Sequence, residues 1–362
     1  MLRRAAYPAS GSDVTFLRGK VGVVAPSFVV PPVEFALGIE RLRKAGFAVQ
    51  VHPQCAEQKF LFAGSDEARA SGFWEYATDD TVSVVWCGRG GYGAVRILRF
   101  LEEQTRKHGK PAPKLLVGYS DATALLEYTR SRWGWSTLHA PMPAVREFSE
   151  LPPSVWQALV QWVSGAPEAH FAAKLKPVVG GAALRRPLTA RLVGGNLSLW
   201  ASLLGTPYAP KTRGDILFFE DIGETPYRLD RMIQQLAEAR IFDTARALVL
   251  GTFQDCADAT SSALKLPPPS RGPVRRRMLR TPQSAELRPL RPLYSPTRWQ
   301  REIFGGIGER FGIPVWRGLP VGHGRAGFTP MPIGATYRLS PDGVLKLVEW
   351  ESWERWRAPK RR

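Results

Sequence analysis

Short apolar runs rich in β-branched residues alternate with segments of helical periodicity between residues 20 and 131. The runs have the length of buried strands and lie at residues 21–25, 47–52, 82–86 and 114–118. Helices are predicted between and after them, at residues 33–45, 65–78, 92–103 and 122–131. Strands that alternate with helices pair in parallel through right-handed crossovers, so this spacing predicts a three-layer α/β domain. Functional groups are then expected at the carboxyl ends of the strands.

The pattern of strands and helices returns after residue 190 and predicts a second, smaller domain of mixed α/β type. Helices are expected at residues 196–204 and 227–238, and strands at 215–220, 247–251 and within 334–349. We therefore predict an N-terminal domain at residues 20–163 and a C-terminal domain at 191–350. Residues 164–190 are rich in Pro, Gly, Ala and Lys and are interpreted as a linker.

Most of the charge lies outside these two predicted domains. The full chain has a net charge of +18, which suggests a polyanionic partner such as nucleic acid. Residues 1–20 contribute +3, residues 261–298 contribute +8 and residues 351–362 contribute +3, which leaves +4 for the other 292 residues. We therefore predict basic tails at residues 1–19 and 351–362 and a mobile Pro/Arg-rich insertion at 261–298. A basic nucleic-acid-binding protein is one alternative. Because most of the charge lies outside the predicted domains, however, nucleic acid is not the partner we expect.

In other respects the composition of the full chain is that of an ordinary globular protein, with 44% apolar and 23% charged residues. Three widely spaced cysteines, Cys55, Cys87 and Cys256, argue against a disulfide framework or a zinc site. No run of about 18 apolar residues occurs, and residues 1–13 lack the apolar stretch of a signal peptide. We expect a cytoplasmic protein without integral membrane association.

A glycine-rich segment at residues 88–93, Gly-Arg-Gly-Gly-Tyr-Gly, lies between a predicted strand and a predicted helix. Its spacing fits the G-x-G-x-x-G pattern of dinucleotide sites. However, the next strand does not end in the acidic residue that would hold a ribose, and the preceding strand is the third rather than the first. A structural turn is a second interpretation. We favour a third, in which the exposed N–H groups bind a carboxylate or a developing oxyanion.

Residues 118–122, Gly-Tyr-Ser-Asp-Ala, also join a predicted strand to a predicted helix. A serine on such a bend presents its hydroxyl at the sheet edge, beside the N–H groups of the following helix, as in a nucleophile elbow. Ala122 replaces the second glycine of the usual G-x-S-x-G pattern. The alternative is that Ser120 or Asp121 only caps the helix.

A serine nucleophile requires a base and an orienting carboxylate. Of five histidines, His139 follows the serine closely in the chain, and His323 lies between two glycines in a loop that also contains prolines. The apolar run at residues 216–219 ends in Glu220 and Asp221, with Glu224 one turn later. The residue pattern leaves the choice among the three acids open.

Six motifs in order resemble those of the LD-carboxypeptidases of the muramoyltetrapeptide carboxypeptidase family, which are serine peptidases. They lie at residues 21–27, 89–93, 118–121, 194–198, 217–221 together with 227–232, and 322–323. The resemblance covers about residues 20–345 apart from the insertion. It implies an N-terminal domain with a flavodoxin-like or glutamine-amidotransferase-like parallel sheet, a smaller C-terminal domain and an active site at their interface. The chain departs from the family at Ala140, where the family commonly has His-Gly-Pro.

The resemblance also implies roles for individual residues. Ser120 would be the nucleophile, His323 the general base and Glu220 the orienting carboxylate. The N–H groups of Gly91 and Asp121 would form the oxyanion hole. The substrate-binding residues that we expect are Arg89, Gly90, Tyr92, Asn196 and Arg231. Neither a metal nor an organic cofactor is implied.

The reaction implied is hydrolysis of the bond between a diamino acid and the terminal D-alanine of a murein tetrapeptide, through an acyl-enzyme. An alternative with the same fold and triad is a hydrolase of the microcin C immunity type, which cleaves peptidyl-adenylate or aminoacyl-adenylate conjugates. The resemblance also leads us to expect a homodimer.

Overall fold

A computed structural model of the protein describes residues 19–166, 169–256, 296–324 and 328–350. These residues form two β-sheets flanked by helices. The α/β fold class predicted from the sequence is confirmed. No helix in the described part of the chain is long and apolar enough to cross a membrane.

The first sheet has six strands and contains the segments predicted for the N-terminal domain. In chain order its strands are β1 (Lys20–Val24), β2 (Val49–Val51), β3 (Val82–Cys87), β4 (Leu115–Gly118), β5 (Ser136–His139) and, from the C-terminal part of the chain, β12 (Met331–Ile333). Their spatial order is β2-β1-β3-β4-β5-β12, and all pairs are parallel except the last. Since the strand order reverses between β1 and β3, a crevice is expected at their carboxyl ends.

The helices of the N-terminal half follow the predicted crossovers. They are α1 (Pro32–Lys44), α2 (Asp66–Thr78), α3 (Ala94–His108), α4 (Thr123–Tyr128), α5 (Arg146–Ser149) and α6 (Pro153–Ser164). Helix α4 continues as a π-helix at Thr129–Trp133, and short 3₁₀ helices lie at Pro53–Ala56 and Ser120–Ala122. The contacts of α3 with α2 and α4 join these helices in one layer, while α1 contacts α5.

The second sheet has eight strands and is mixed. They are β6 (Ala172–Lys174), β7 (Lys176–Pro177), β8 (Leu188–Asn196), β9 (Ile216–Ile222), β10 (Ala247–Gln254), β11 (Val315–Arg317), β13 (Thr336–Leu339) and β14 (Val344–Glu349). Strands β8 to β11 pair in parallel at the centre, in the overall order β6-β14-β13-β8-β9-β10-β11-β7. The helices are α7 (Leu197–Leu203), α8 (Pro226–Glu238), α9 (Pro296–Gln300) and α10 (Gly306–Phe311), with a π-helix at Arg301–Gly305.

Alternating residues of β9 face two different hydrophobic clusters, as the two-residue period of a strand requires. Phe218 belongs to the main cluster, which also contains Val23 and Leu116 of the first sheet. Leu217 and Phe219 belong to a second cluster, which α7 and α8 cover. One continuous core therefore joins the two sheets, and the carboxyl ends of β4 and β9 are held in a fixed relation.

Two segments differ from the sequence predictions. Strand β5 was not predicted, because Ser-Thr-Leu-His has no apolar run. The predicted linker at residues 164–190 contains β6 and β7, at opposite edges of the second sheet, and the start of β8. The predicted tails lie outside the described residues except Gly19, and the predicted insertion lies outside them except residues 296–298, which begin α9.

Gly194 provides a test of how closely β8 and β9 are packed. It has a φ of +142°, and a Cβ added there would lie 1.8 Å from the carbonyl oxygen of Phe218. We expect Gly194→Ala to lower the free energy of unfolding by roughly 3–5 kcal/mol, because the clash is with backbone. Gly134→Ala is the matched control, since its φ is +73° but no atom lies within 4 Å of an added Cβ. It should cost about 1–2 kcal/mol. Urea unfolding of both variants measures the difference, and equal losses would contradict this account.

Candidate active site

Ser120 lies at a strained bend directly after β4. Its φ is +59°, an unusual value for a residue with a side chain. The 3₁₀ helix Ser120–Ala122 begins there and leads into α4. A strained serine between a strand and a helix has the geometry of a nucleophile elbow, in which the hydroxyl is presented at the sheet edge. The side chain is half-buried.

Asp121 connects this bend to two neighbouring segments. Its Oδ2 accepts hydrogen bonds from the hydroxyl of Ser27 at 2.6 Å and from the N–H of Ala94 at 2.8 Å. The carboxylate therefore caps α3 rather than its own helix, and it fixes the loop that follows β1. Burial raises the pKa of Asp121 above its ordinary value despite these hydrogen bonds.

His323 and Glu220 form the closest pair of titratable groups at this edge. Nδ1 of His323 lies 2.6 Å from Oε2 of Glu220, which also accepts the backbone N–H of His323 at 3.2 Å. The carbonyl oxygen of His323 accepts a 2.7 Å hydrogen bond from the hydroxyl of Thr252. The imidazole ring also packs at 4.9 Å from the ring of Tyr119, the residue before Ser120. His323 therefore contacts the residue that directly precedes Ser120.

Gly322 explains how the loop brings His323 so close. It has a φ of +127°, and an added Cβ would lie 2.8 Å from both Cβ and Oε2 of Glu220. Only glycine fits this approach, so the Gly-His sequence is a geometric requirement for the pair.

The pair shifts the pKa of both groups. Burial alone would raise the pKa of the fully buried Glu220, but His323 and His139 outweigh it and lower this pKa to about 2. Burial alone would lower the pKa of His323, but the Glu220 carboxylate outweighs it and raises this pKa above 6.5. At neutral pH, Glu220 is therefore an anion that favours a protonated imidazole.

Asn196 and Asp221 surround the Glu220 carboxylate. The side-chain amide of Asn196 donates to Oε1 of Glu220 at 3.3 Å and to Oδ1 of Asp221 at 3.1 Å. Its oxygen accepts from the N–H of Leu199 and so caps α7. Asn196 is 3% exposed and its amide is used within the protein. Substrate binding by Asn196 stays a prediction.

His139 contacts the other oxygen of Glu220. Its Nε2 lies 3.8 Å from Oε1 of Glu220, and its ring packs at 5.8 Å from Tyr119 and at 5.5 Å from Phe218. The side chain is 2% exposed. His139 is therefore a buried neighbour of the His323–Glu220 pair.

The glycine-rich segment borders Ser120. A Cβ added to Gly90 would lie 3.2 Å from the Ser120 hydroxyl oxygen, so its backbone approaches the serine closely. Arg89 is half-buried and donates to the carbonyl oxygen of Val29 at 2.5 Å. It also lines an apolar cleft of about 710 Å³ at the carboxyl ends of β1 and β2. Tyr92 is exposed and packs against Phe62.

Arg231 is not part of this cluster in the described contacts. It is exposed on α8, where its guanidinium lies 5.6 Å from the ring centre of Tyr227. Within the described residues, no group of three or more His, Cys, Asp or Glu side chains is arranged to hold a metal ion.

Sequence profiles of known domain families identify the two halves of the chain. The profile of the LD-carboxypeptidase N-terminal domain matches residues 21–140, and that of the C-terminal domain matches residues 189–274. The chain belongs to the LD-carboxypeptidase family. The family consists of serine peptidases, so the expected family and the expectation of a hydrolase are confirmed.

Individual relatives agree with this membership. A probable murein peptide carboxypeptidase of Bacillus subtilis is 33% identical over 240 residues, which is 65% of this chain and 72% of the relative. The crystal structure of muramoyltetrapeptide carboxypeptidase from Oxalobacter formigenes has a TM-score of 0.67 and 28% identity, and covers 90% of this chain and 98% of that one. The microcin C7 self-immunity protein of Escherichia coli is 25% identical over 281 residues, covering 70% of this chain and 79% of that protein.

The structure also reveals supporting residues that the sequence analysis of this LD-carboxypeptidase missed. Ser27 fixes Asp121, and Ser198 donates both its N–H and its hydroxyl to Asp221, at 2.9 and 2.7 Å. Ser27 and Ser198 lie inside the motifs at residues 21–27 and 194–198 that carried the family resemblance. The motifs were therefore a signal, but their contacts depend on strands that are distant in the chain.

Asp221 should make stability depend on pH. Burial, and next the neighbouring charge of Glu220, raise its pKa from 3.8 to about 6. The folded state then keeps a proton that the unfolded state loses, so the free energy of unfolding falls as the pH rises through this window. Relative to Asp221→Asn, we expect the wild type to lose about 2–3 kcal/mol between pH 3.5 and 7. Urea unfolding at a series of pH values measures this.

Asp342 is the control for this experiment. It is exposed, and a hydrogen bond from Ser340, followed by one from Lys174, lowers its pKa to about 2. Relative to Asp342→Asn, the wild type should therefore gain stability as the pH rises, which is the opposite of the change expected for Asp221. A wild type that is stabilised relative to Asp221→Asn as the pH rises from 4 to 6 would contradict the account of Asp221.

Proposed function

We propose that the protein is a serine carboxypeptidase that releases the terminal D-alanine of murein tetrapeptides. The observation that carries this proposal is that the buried pair of Glu220 from β9 and His323 from the loop before β12 packs against Tyr119, the residue before the strained Ser120. The murein peptide carboxypeptidases among its relatives supply the substrate class. The bond cleaved joins the L-centre of a diamino acid to D-alanine.

His323 serves as the general base in this mechanism. Its Nδ1 faces Glu220, which holds the proton on that nitrogen and leaves Nε2 to accept a proton from the Ser120 hydroxyl. Ser120 attacks the carbonyl carbon, and D-alanine leaves with the proton that His323 returns. Water then cleaves the acyl-enzyme with the same base.

The oxyanion is stabilised by backbone N–H groups. We assign this role to Gly91 and Asp121, since the loop at residues 88–93 closely approaches Ser120, and Asp121 directly follows Ser120 in the 3₁₀ helix. Arg89 and Tyr92 lie on the same loop, and Arg89 suits the terminal carboxylate of the substrate because a guanidinium binds carboxylates through paired N–H groups. The exposed Arg231 has no comparable support.

The cytoplasmic location and the homodimer expected from the resemblance belong to this proposal as well. A tetrapeptide taken from murein is a small soluble substrate, which agrees with an enzyme that acts away from the membrane.

Ser120→Ala tests the nucleophile. With purified murein tetrapeptide as substrate, we expect the rate of D-alanine release to fall by at least about 10³-fold, because the acyl-enzyme cannot form. Ser71→Ala, at an exposed position of α2, is the control and should keep full activity. Urea unfolding checks that both variants remain folded. Equal turnover by Ser120→Ala and the wild type would remove this mechanism.

Substitution of Glu220 tests the role of His323 as general base through the pH dependence of kcat/KM. Because the carboxylate raises the pKa of His323, the acidic limb of kcat/KM should lie above pH 6.5 in the wild type. Glu220→Gln should move this limb to lower pH and reduce kcat/KM by roughly 10²–10⁴-fold. The profile is measured from D-alanine release between pH 5 and 9. An acidic limb that stays in place in a folded variant would show that Glu220 does not set the base.

A second candidate is a hydrolase of the microcin C immunity type. The microcin C7 self-immunity relative supports it, and one solved structure of that protein contains glutamyl sulfamoyl guanosine. The same serine and base serve either reaction. Assays with a murein tetrapeptide and with an aminoacyl sulfamoyl adenosine separate the two functions. A murein carboxypeptidase releases D-alanine from the first substrate, whereas a hydrolase of the immunity type releases a free sulfamoyl nucleoside from the second.

A further inference from the structure

A pocket of about 340 Å³ lies where the π-helix after α4 meets the loop between α7 and β9. We name it the cationic pocket, because five of its nine lining residues are basic. They are Arg130 and Arg132 from the N-terminal half and Arg191, Lys211 and Arg213 from the C-terminal half. Glu127 is the only acidic residue in the lining.

Two carboxylates neutralise only part of this charge. Both oxygens of Glu127 bind the guanidinium of Arg130, at 2.6 and 2.8 Å. Asp215, which does not line the pocket, accepts hydrogen bonds from Nε and Nη2 of Arg191, at 2.8 and 3.1 Å. In the described part of the chain, Arg132, Lys211 and Arg213 form no ion pair with a carboxylate. The cationic pocket therefore has three uncompensated positive charges.

The basic side chains converge on one concave surface, where Arg132, Lys211 and Arg213 are exposed to solvent. The side chain of Arg130 is 11% exposed, and Arg132 donates to the carbonyl oxygen of Pro207 at 2.5 Å, which fixes it across the two halves. The 292 residues outside the basic tails and the insertion together carry only +4, so this concentration is a local property and does not follow from the net charge. Cations held together at one concave surface favour an anion of matching charge.

We propose that the cationic pocket binds a small ligand with a diphosphate or phosphate monoester group. Guanidinium groups bind phosphate oxygens through paired N–H donors, and a lysine adds a point charge. The volume lies within the range of small-molecule sites and leaves room for a sugar-sized group besides the phosphate. Half-buried Tyr208, which also lines the pocket, provides an apolar surface for such a group.

The cationic pocket is separate from the candidate active site. Arg191 and Asn196 are five residues apart on β8, which corresponds to roughly 16 Å. Ten residues of mostly helical chain separate Ser120 from Arg130, about 15 Å at 1.5 Å per residue. The substrate that Ser120 attacks therefore does not reach this pocket with its scissile bond.

A bound anion would link the elements that hold the two parts of the candidate active site. Arg130 and Arg132 lie on the helix that follows Ser120, whereas Arg191 lies on the strand that ends at Asn196. The ligand should therefore raise the midpoint of thermal unfolding, since it binds only when both halves are folded together.

The test is calorimetric titration of the full chain with pyrophosphate at physiological salt, alongside thermal unfolding. Lys211→Ala/Arg213→Ala removes two exposed pocket cations, and Arg43→Ala/Lys346→Ala removes two exposed cations elsewhere. Both variants lose the same charge and keep the basic segments at residues 1–20, 261–298 and 351–362. We expect the dissociation constant to rise at least about tenfold only in the pocket variant, because two charge-assisted contacts are lost. The thermal shift should be lost with it.

A second titration with glucose 1-phosphate distinguishes a phosphorylated sugar from a free diphosphate as the preferred ligand. The preferred class is that of the probe, glucose 1-phosphate or pyrophosphate, that has the lower dissociation constant. Ser120→Ala should bind as the wild type does, so this result is independent of the proposed peptidase activity. If the pocket double variant does not fold, Lys211→Glu alone replaces it, with Lys346→Glu as its control. Equal affinity of the pocket and control variants, or no binding by the wild type, would overturn the proposal.

Discussion

The charged carboxylate of Glu220 has no exposed surface, and its burial constrains both halves of the molecule. A buried ion is tolerated only when partners replace the water it has lost. Here β8 supplies the amide of Asn196, the loop before β12 supplies the ring and N–H of His323, and β5 supplies His139. Each partner comes from a different element, so the carboxylate is satisfied only when all of them are assembled.

The serine bend is held by a comparable arrangement on the N-terminal side. Asp121 fixes the loop after β1 and the start of α3, and the hydroxyl of Thr123 accepts the N–H of Asn196 at 3.2 Å. This last contact joins the segment after Ser120 to the residue that binds Glu220. The two parts of the site are therefore positioned by direct hydrogen bonds as well as by the shared core.

Local patterns predicted the elements with strong periodicity. Strands β1, β3 and β4 and helices α2 and α8 lie within about two residues of their predicted bounds. The strands are buried along almost their whole length, as their continuous apolar runs predicted, and each helix buries one face. Strands β6 and β7 have no such signal, since their extended form depends on pairing with β14 and β11. Their Pro and Lys content therefore suggested a linker.

The candidate site was predictable to a similar extent. Strand and helix signals placed Ser120 at a bend, but they left Glu220, Asp221 and Glu224 equivalent. Glu220 and Asp221 differ in their hydrogen-bond partners, since Glu220 pairs with His323 and Asp221 accepts from Ser198. These partners are distant in sequence, so only the family resemblance could favour Glu220 before the structure. The roles of Asn196 and His139 were missed for the same reason.

Strand β12 adds an order of events to this architecture. It completes the edge of the first sheet beside β5, yet it follows β5 by almost two hundred residues. During synthesis, the sheet that carries the serine must therefore wait with an unpaired edge until nearly all of the second sheet has emerged. An unpaired edge invites association with other chains. The half of the enzyme that resembles an independent domain thus depends, for its own closure, on a strand that is made long after its other strands.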